Sequence, residues 1–306
     1  MISIILPTFN REKILTTTID CILNQTFEDY ELIIINDASN DNTESIIKKY
    51  QTKNNKIKYI HNQQNMGCAI SRQLGYENSK GSIIVFMDDD DIWPNDKLIK
   101  QYSLIKNYDM IISDYNINHN DKLIYKNMKP FSMDFKNEIL KRPGPFFQSI
   151  MIRKSIMQKI KLPFDPKSVP SEDWNFFIEL SKLNPKIAHI AEPLFTWNIN
   201  NNNQSLDLKK EALALEYILK KHHTYFQKHI NKNILSGHYR RIARLYEKLY
   251  IENGHTKNII KFYQKAFNTH PLSIKNIFYR MNTIIGYRYT RFIIDTLRKI
   301  RGIPNA

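Results

Sequence analysis

The stretch Ile83-Ile84-Val85-Phe86-Met87-Asp88-Asp89-Asp90-Asp91 decides how the chain is read. Its first five residues are apolar without alternation and are dominated by β-branched and aromatic side chains. Such a run predicts a strand buried on both faces, inside a sheet with helices on each side. Four acids follow at once. Ionised together they repel one another unless a cation or a proton relieves them. Hard divalent cations take oxygen ligands and commonly bridge one or two carboxylates to substrate phosphates. The carboxyl ends of central strands are also where open α/β sheets bind ligands. A solvated acidic turn is the plainer reading of any acidic run. Here the run joins a buried strand directly and is followed by Ile92-Trp93-Pro94, which favours a metal–phosphate site.

Working outward, Ile2 to Leu6, Glu31 to Ile35 and Ile57 to Ile60 read as further strands. Between them Ile14, Thr18, Ile19, Ile22 and Leu23 recur at helical spacing, Ile46 and Ile47 mark a second helix, and Gly67 opens a third that runs to about Ser79. Asn10 is placed to cap the first helix, and Ser39 or Asp41 the second. After the acids a helix from Asp96 to about Lys106 precedes a strand at Met110 to Ile112. Asn116 to Pro145 is polar and broken by prolines, and is expected to be an excursion or flexible loop. Ser149 to Ile152 reads as a returning strand, Trp174, Phe177, Ile178 and Leu180 as a helix, and Ile187 to Ile190 as a short strand. Strand–helix alternation at these lengths predicts parallel strands joined by crossover helices. Parallel strands end on the same side of a sheet, so Thr8 to Arg11, Asn36 to Asp41 and Asp88 to Asp91 are expected to converge on one crevice.

The 306 residues are 42% hydrophobic and 25% charged, an ordinary globular balance with room for one large domain and an appendage. Two cysteines, Cys21 and Cys68, make neither a metal nor a disulfide framework and suggest a reducing compartment. The first residues lack a signal-peptide pattern, and no stretch has 18 uninterrupted apolar residues. A cytoplasmic protein is expected, peripheral on the inner face of the membrane. The net charge of +15 is unevenly spread: Leu206 to Ala306 holds 20 Lys and Arg against 6 Asp and Glu. The nearly all-Asn segment from Asn198 to Gln204 is the expected boundary, giving domains 1–205 and 206–306. The second domain reads as helical at Leu213 to Leu219, Tyr239 to Tyr250, Asn258 to Phe267, Ile274 to Ile285 and Tyr287 to Ile300. Its charge and interleaved aromatics suit an anionic membrane surface.

Four ordered motifs carry a resemblance. Ile4-Ile5-Leu6-Pro7-Thr8-Phe9-Asn10-Arg11, Ile33-Ile34-Ile35-Asn36-Asp37-Ala38-Ser39, Asn65-Met66-Gly67 and Phe86-Met87-Asp88-Asp89-Asp90-Asp91 are similar to those of family 2 glycosyltransferases. The resemblance spans residues 2 to 205. It implies a GT-A fold: a Rossmann-type α/β mixed, mainly parallel sheet flanked by helices, here with a C-terminal helical appendage. It also implies an inverting enzyme that takes a nucleotide sugar. Ala38 stands where the family has Gly, so the loop is expected to be less able to take a positive φ.

The same resemblance assigns residues. Pro7, Thr8, Asn10, Arg11, Asp37, Asn65, Gly67, Arg72, Asp88 and Asp89 would bind the donor, with Asp37 accepting the N3–H of uracil and thereby selecting a UDP-sugar. Asp88 and Asp90 would hold Mn2+ or Mg2+, while Asp91 reads as a cap. Glu172-Asp173-Trp174 matches the family's Glu-Asp motif, making Asp173 the general base and Glu172 and Trp174 acceptor-side residues. Ser171 to Asp173 capping the helix that follows is the plain alternative, which the upstream motifs outweigh. Apart from the resemblance, Phe146-Phe147-Gln148 and Trp197 could line the acceptor side, since aromatic faces pack on sugar rings, with core packing the plain alternative. The expected reaction is transfer from a UDP-sugar to a hydroxyl of a surface glycan or lipid-linked oligosaccharide. A nucleotidyltransferase would favour an early Gly-rich phosphate loop, and Pro7 to Arg11 has no glycine. A basic nucleic-acid-binding protein would account for the charge, but no helix-turn-helix, zinc-finger or RNP signature is present, so no nucleic acid partner is expected.

Overall fold

The apolar runs and the helix-spaced segments between them build one eight-stranded sheet. The computed structural model describes residues 1–120, 122–198, 207–253 and 257–285, with backbone alone at 250–253 and 282–285. In chain order the strands are β1 (Ile2–Thr8), β2 (Tyr30–Asn36), β3 (Ile57–His61), β4 (Ile83–Phe86), β5 (Met110–His119), β6 (Lys122–Lys126), β7 (Ile150–Arg153) and β8 (Ile187–Asn198). They lie in the order β3-β2-β1-β4-β7-β5-β6, with β8 against β5. β1 pairs in parallel with β2 and β4, β2 with β3, and β5 with β8. β7 runs antiparallel to β4 and β5, and β6 antiparallel to β5. The sheet is therefore mixed and mainly parallel, with helices flanking it.

Burial of the central strands follows from their apolar runs, with Ser3 buried in β1 through its hydrogen bond to Glu31 Oε1 at 2.6 Å. Every residue of β1 and of β4 is buried, so both faces of the central strands are covered. The connections carry α1 (Leu15–Leu23), α2 (Thr43–Gln51), α3 (Cys68–Glu77) and α4 (Lys97–Ile105). α3 lies against β1 and β2 at Gly75, where a Cβ would stand 2.5 Å from Ile5 Cγ2 and 2.7 Å from Ile35 Cδ1. Glycine is required there by proximity.

Several local expectations give way to tertiary demands. The described residues of 116–145 form no flexible excursion. β5 runs on to His119, β6 pairs back onto it, and α5 (Lys129–Met133) and α6 (Phe135–Lys141) follow before β7 and α7 (Lys154–Met157). Phe131, Phe135, Ile139 and Leu140 are buried and hold this segment down, although its prolines and polar residues masked their spacing. β8 is likewise longer than Ile187 to Ile190, because β5 offers it a ladder as far as Asn118. Asn10 does not cap α1. It takes φ +54°, and its Oδ1 accepts from the Asn40 amide at 3.0 Å. Ser39 accepts from the Asn10 amide at 2.9 Å instead of capping α2. Asp41 does serve the start of α2, accepting from the Thr43 amide at 2.9 Å, and its other oxygen takes the Glu12 amide.

The chain divides into two compact units, Met1–Gln204 and Ser205–Ala306. α8 (Glu172–Ser181) completes the first unit's described helices. The second contains α9 (Leu208–Lys221), α10 (His223–His229), α11 (Lys232–Asn253), α12 (Lys257–Thr269) and α13 (Ile274–Ile285). Leu215, Ile218, Phe226, Ile242, Tyr246 and Phe262 make its core. The connector around residues 199–206 and the helix expected from Tyr287 to Ile300 lie outside the described residues.

Gly75→Ala should cost about 1–3 kcal/mol despite alanine's better helix propensity, because the added methyl overpacks Ile5 and Ile35. Urea unfolding at pH 7 measures it, and an unchanged midpoint would show that α3 can move off the sheet.

Candidate active site

The carboxyl ends of β1, β2 and β4 meet and are cross-linked. The Asp37 amide donates to the Thr8 carbonyl at 2.9 Å, and the Arg11 amide to Thr43 Oγ1 at 2.8 Å. Arg11 Nε reaches Asp89 Oδ1 at 2.9 Å, and the Phe9 amide approaches Asp89 Oδ2 at 3.4 Å. Pro7 and Thr8 are buried at the end of β1, so within this rim Asn10 and Arg11 are the more open residues. Thr18 Oγ1 donates to the Asp89 carbonyl at 3.0 Å and ties the acidic loop to α1.

Asp37 organises the second strand end. Its Oδ1 accepts from Asn62 Nδ2 at 2.7 Å and the Met66 amide at 2.9 Å, and its Oδ2 from the Gly67 amide at 2.8 Å. Three of a carboxylate's roughly four acceptor positions are thus filled, leaving one on Oδ2. Gly67 takes φ +84° in open space, a conformation that favours glycine. Asn65, two residues before it, is exposed. Ala38 adopts φ +61° where the sequence suggested it would resist, so the loop keeps a glycine-like turn at a cost of about 1–2 kcal/mol.

The four acids have four different environments. Asp88 accepts from Arg72 Nη2 at 2.7 Å on one oxygen and from Gln148 Nε2 on the other. Asp89 is buried against Arg11, and burial raises its pKa. Asp91 is no cap: it is buried, its Oδ1 lies 3.4 Å from the Asn198 amide, and burial with the charges of Asp88 and Asp90 holds its carboxyl well above the usual range. Asp90 is half-exposed, and among the described residues no side chain donates to its carboxylate. Burial, then Asp88 and Asp89, push its pKa up to about 7. β8 grips this loop through a bridge between Ile92 and Thr196 and through Asn198 Nδ2, 2.8 Å from the Asp90 carbonyl. Behind it, fully buried Lys97 donates to the Gln148 carbonyl at 2.9 Å, and burial lowers its pKa to about 7.

These environments fit a hard cation on Asp90, whose charge the protein leaves unopposed by any side-chain donor. Asp88 is already committed to Arg72 and Gln148. Among the described residues no group of three or more His, Cys, Asp or Glu is arranged for a metal. The chain would therefore supply one or two carboxylates and a bound diphosphate the remaining oxygens, as is usual for Mg2+.

Arg72 connects this loop to α8. Arg72 is 5% exposed, with Nη2 on Asp88 and Nη1 on Glu172 Oε1 at 2.5 Å and its guanidinium carbon 5.1 Å from the Phe147 ring centroid. Burial alone would lower its pKa, but Asp88, then Cys68 and Glu172, outweigh it and raise the value. Cys68 Sγ also reaches Glu172 at 3.2 Å, and burial, then Glu172, lift the thiol to about 12. Asp173 accepts the Trp174 amide at 2.6 Å; burial, then the Glu172 charge, raise its carboxyl to about 7.

Two acceptor-side expectations are corrected. Trp174 is 1% exposed and its Nε1 donates to the Ile139 carbonyl at 2.7 Å. Phe147 is buried among Phe86, Phe164, Phe176 and Phe177. Both support the site from the core: Trp174 follows Asp173 on α8 but turns inward, and Phe147 lies in the turn that leads into β7. Phe146 and Trp197 are the half-exposed pair, with ring centroids 5.1 Å apart. Asn62, Lys97 and Asn198 were not anticipated. Nothing in their local sequence marks them, since each acts on a segment distant in the chain.

A family model described as Glycosyl transferase family 2 matches residues 3–161. The uncharacterized glycosyltransferase MJ1057 of Methanocaldococcus jannaschii is 34% identical over 232 residues, covering 72% of this chain and 79% of that protein. The UDP-Glc:alpha-D-GlcNAc-diphosphoundecaprenol beta-1,3-glucosyltransferase WfgD of Escherichia coli is 28% identical over 186 residues, 60% of this chain and 71% of its own length. Among solved structures, residues 1–349 of S. aureus TarS in complex with UDP-GlcNAc superpose with a TM-score of 0.58 at 18% identity, over 92% of this chain and 78% of that one. That likeness bears on the fold, which is GT-A.

Arg72→Met should cost about 3–5 kcal/mol in urea unfolding, because two carboxylates lose their shared cation. Adding Asp88→Asn and Glu172→Gln should recover most of the loss; no recovery would mean that Arg72 acts through packing alone. The raised carboxyls also set a pH slope. Asp90 and Asp173 hold protons up to about pH 7 when folded and only to about pH 4 when unfolded. The folded state binds more protons across that window, so stability falls as pH rises from about 4 to 7 and then levels. Asp90→Asn should flatten part of this slope in EDTA, read from denaturation midpoints between pH 5 and 8.

Proposed function

The chain belongs to glycosyl transferase family 2, and on that premise we propose that it is a metal-dependent inverting enzyme using a UDP-sugar. The acceptor is a hydroxyl of a surface glycan or lipid-linked oligosaccharide. One observation carries the reading: Arg72 ties Asp88, in the acidic loop, to Glu172, which immediately precedes Asp173. Donor-side acids and a carboxylate with a pKa near 7 thus share one crevice.

The uracil N3–H would take the remaining acceptor position on Asp37, while Asn10 and Arg11 border the donor. The relatives support this choice of donor, since WfgD is named for UDP-Glc and TarS was solved with UDP-GlcNAc. Asp90, with Asp88 near it, would hold Mn2+ or Mg2+, which when bound supplies Lewis-acid neutralisation of charge growing on the leaving diphosphate. Asp173 accepts the proton of the acceptor hydroxyl as its oxygen bonds to the anomeric carbon. The bond from that carbon to the diphosphate breaks on the opposite face, and UDP departs with the electron pair. A base with a pKa near 7 is well matched to neutral pH. Glu172 contributes by keeping Asp173's proton affinity high, and Phe146 and Trp197 offer half-exposed ring faces for an acceptor sugar.

Asp173→Asn should lower transfer by roughly 100-fold or more while leaving UDP-sugar affinity within a few-fold. In the native enzyme kcat/KM should fall about tenfold per pH unit below pH 7, as Asp173 takes up its proton. UDP release in the presence of Mn2+, with UDP-sugar binding measured alongside, checks both. An equal fall in affinity and turnover would place Asp173 on the donor, and full activity in EDTA would remove the metal from the reading.

A further inference from the structure

α13 is turned inside out. Asn276 is fully buried, donating to the Ala266 carbonyl at 3.0 Å and the His270 carbonyl at 2.8 Å and accepting from Arg240 Nη1. Three residues on, Tyr279 stacks on Tyr263 with centroids 4.5 Å apart. Polar contacts and a tyrosine therefore fix this helix to α11 and α12. At about 100° per residue, Ile274, Ile277, Phe278 and Met281 fall on the opposite face. All four are exposed, Ile274 at 84%, and Leu272 just before the helix is at 87%. Lys275 and Arg280 lie on the two flanks of this apolar stripe. A helix of a water-soluble bundle does the reverse, burying its apolar stripe and wetting its polar face.

An exposed apolar ridge marks a surface for a membrane or a protein, and charge separates the two here. No Asp or Glu occurs between Glu252 and Asp295, a stretch holding seven Lys and Arg. Lys257, Lys261, Lys265 and Lys275 are exposed on α12 and α13, and of these Lys261 has a carboxylate partner, Glu216 at 2.6 Å. A predominantly cationic α12 and α13 suit a uniformly anionic plane. No described helix is long and apolar enough to cross a membrane. We propose that α13 lies in the plane of an anionic lipid surface, with Leu272, Ile274, Ile277, Phe278 and Met281 among the headgroups and upper chains. Lys275 and Arg280 then extend from the flanks to the phosphates, their stems along the apolar boundary. Neighbouring lysines on α12 add electrostatic attraction that decays within a Debye length.

The proposal stands on the geometry of α13 and its charges, not on the transfer reaction, and its test needs no acceptor. The full chain is sedimented with vesicles of phosphatidylcholine alone, or with about 30% phosphatidylglycerol, at low and high salt. Ile277→Glu with Phe278→Glu alters two exposed positions, and separately Lys275→Glu with Arg280→Glu alters one exposed and one half-exposed flank position; both variants are checked by circular dichroism. The native chain should bind the anionic vesicles, less at high salt, and each pair of substitutions should weaken binding by about tenfold or more. UDP release in solution should not change in either variant, which keeps this result apart from the catalytic reading. Undiminished binding by Ile277→Glu/Phe278→Glu, or no binding to either vesicle at low salt, would overturn the proposal. So would a dimer in sedimentation velocity that this variant dissolves, because a second copy would then cover the ridge.

Discussion

The buried guanidinium of Arg72 is the constraint on which the site depends. A cation taken out of water at this depth requires compensating charge at hydrogen-bond distance, and Asp88 and Glu172 supply it from segments 16 and 100 residues away in the chain. The first lies at the end of a central parallel strand, the second at the start of α8. Satisfying one side chain therefore fixes the acidic loop relative to the helix that carries Asp173. Phe147 underneath and Cys68 beside Glu172 close the remaining sides. Arg72 Nε and Glu172 Oε2 have no protein partner, so the pairing is strong without being complete.

Around this bridge the fold sorts a repulsive sequence into separate solutions. Four adjacent carboxylates cannot all remain charged and unpaired in a crevice. Asp88 has Arg72 and Gln148, Asp89 has Arg11, and Asp91 is buried beside the Asn198 amide with its proton favoured. Asp90 is left with the weakest protein partners and a pKa near 7. Binding capacity arises from that remainder, since a group already satisfied by its own chain has little to offer a ligand. Asp37 shows the same logic in reverse: three protein donors orient it and one acceptor position remains.

The helical unit uses polarity differently. Asn276 and Tyr279 take the inward positions on α13 that apolar residues hold on α9 and α11, where Leu215, Ile218 and Ile242 are buried. Buried amide hydrogen bonds specify one orientation of the helix, because any rotation would strand the Asn276 side chain and the carbonyls it serves.

Much of the sheet was legible because its signals are local. Runs rich in Ile and Val at Ile2 to Leu6 and Ile83 to Met87 imply burial on both faces, and parallel strands must deliver Thr8 to Arg11, Asn36 to Asp41 and Asp88 to Asp91 to one edge. The segment from 116 to 145 hides its structure because its apolar residues are sparse and become a core only when β8 and α8 are beside them. Similarly, Glu172-Asp173-Trp174 identifies three neighbours, but only the packed helix decides that Trp174 turns inward. Sequence by itself determined the alternation of strands and helices, the shared edge, the acidic run and the basic back half. Tertiary structure alone decided which acid stays free, that Arg72 is a buried bridge, and which way the stripe on α13 faces. Periodicity defines a stripe on a helix, whereas its direction depends on hydrogen bonds to residues that no local spacing reveals.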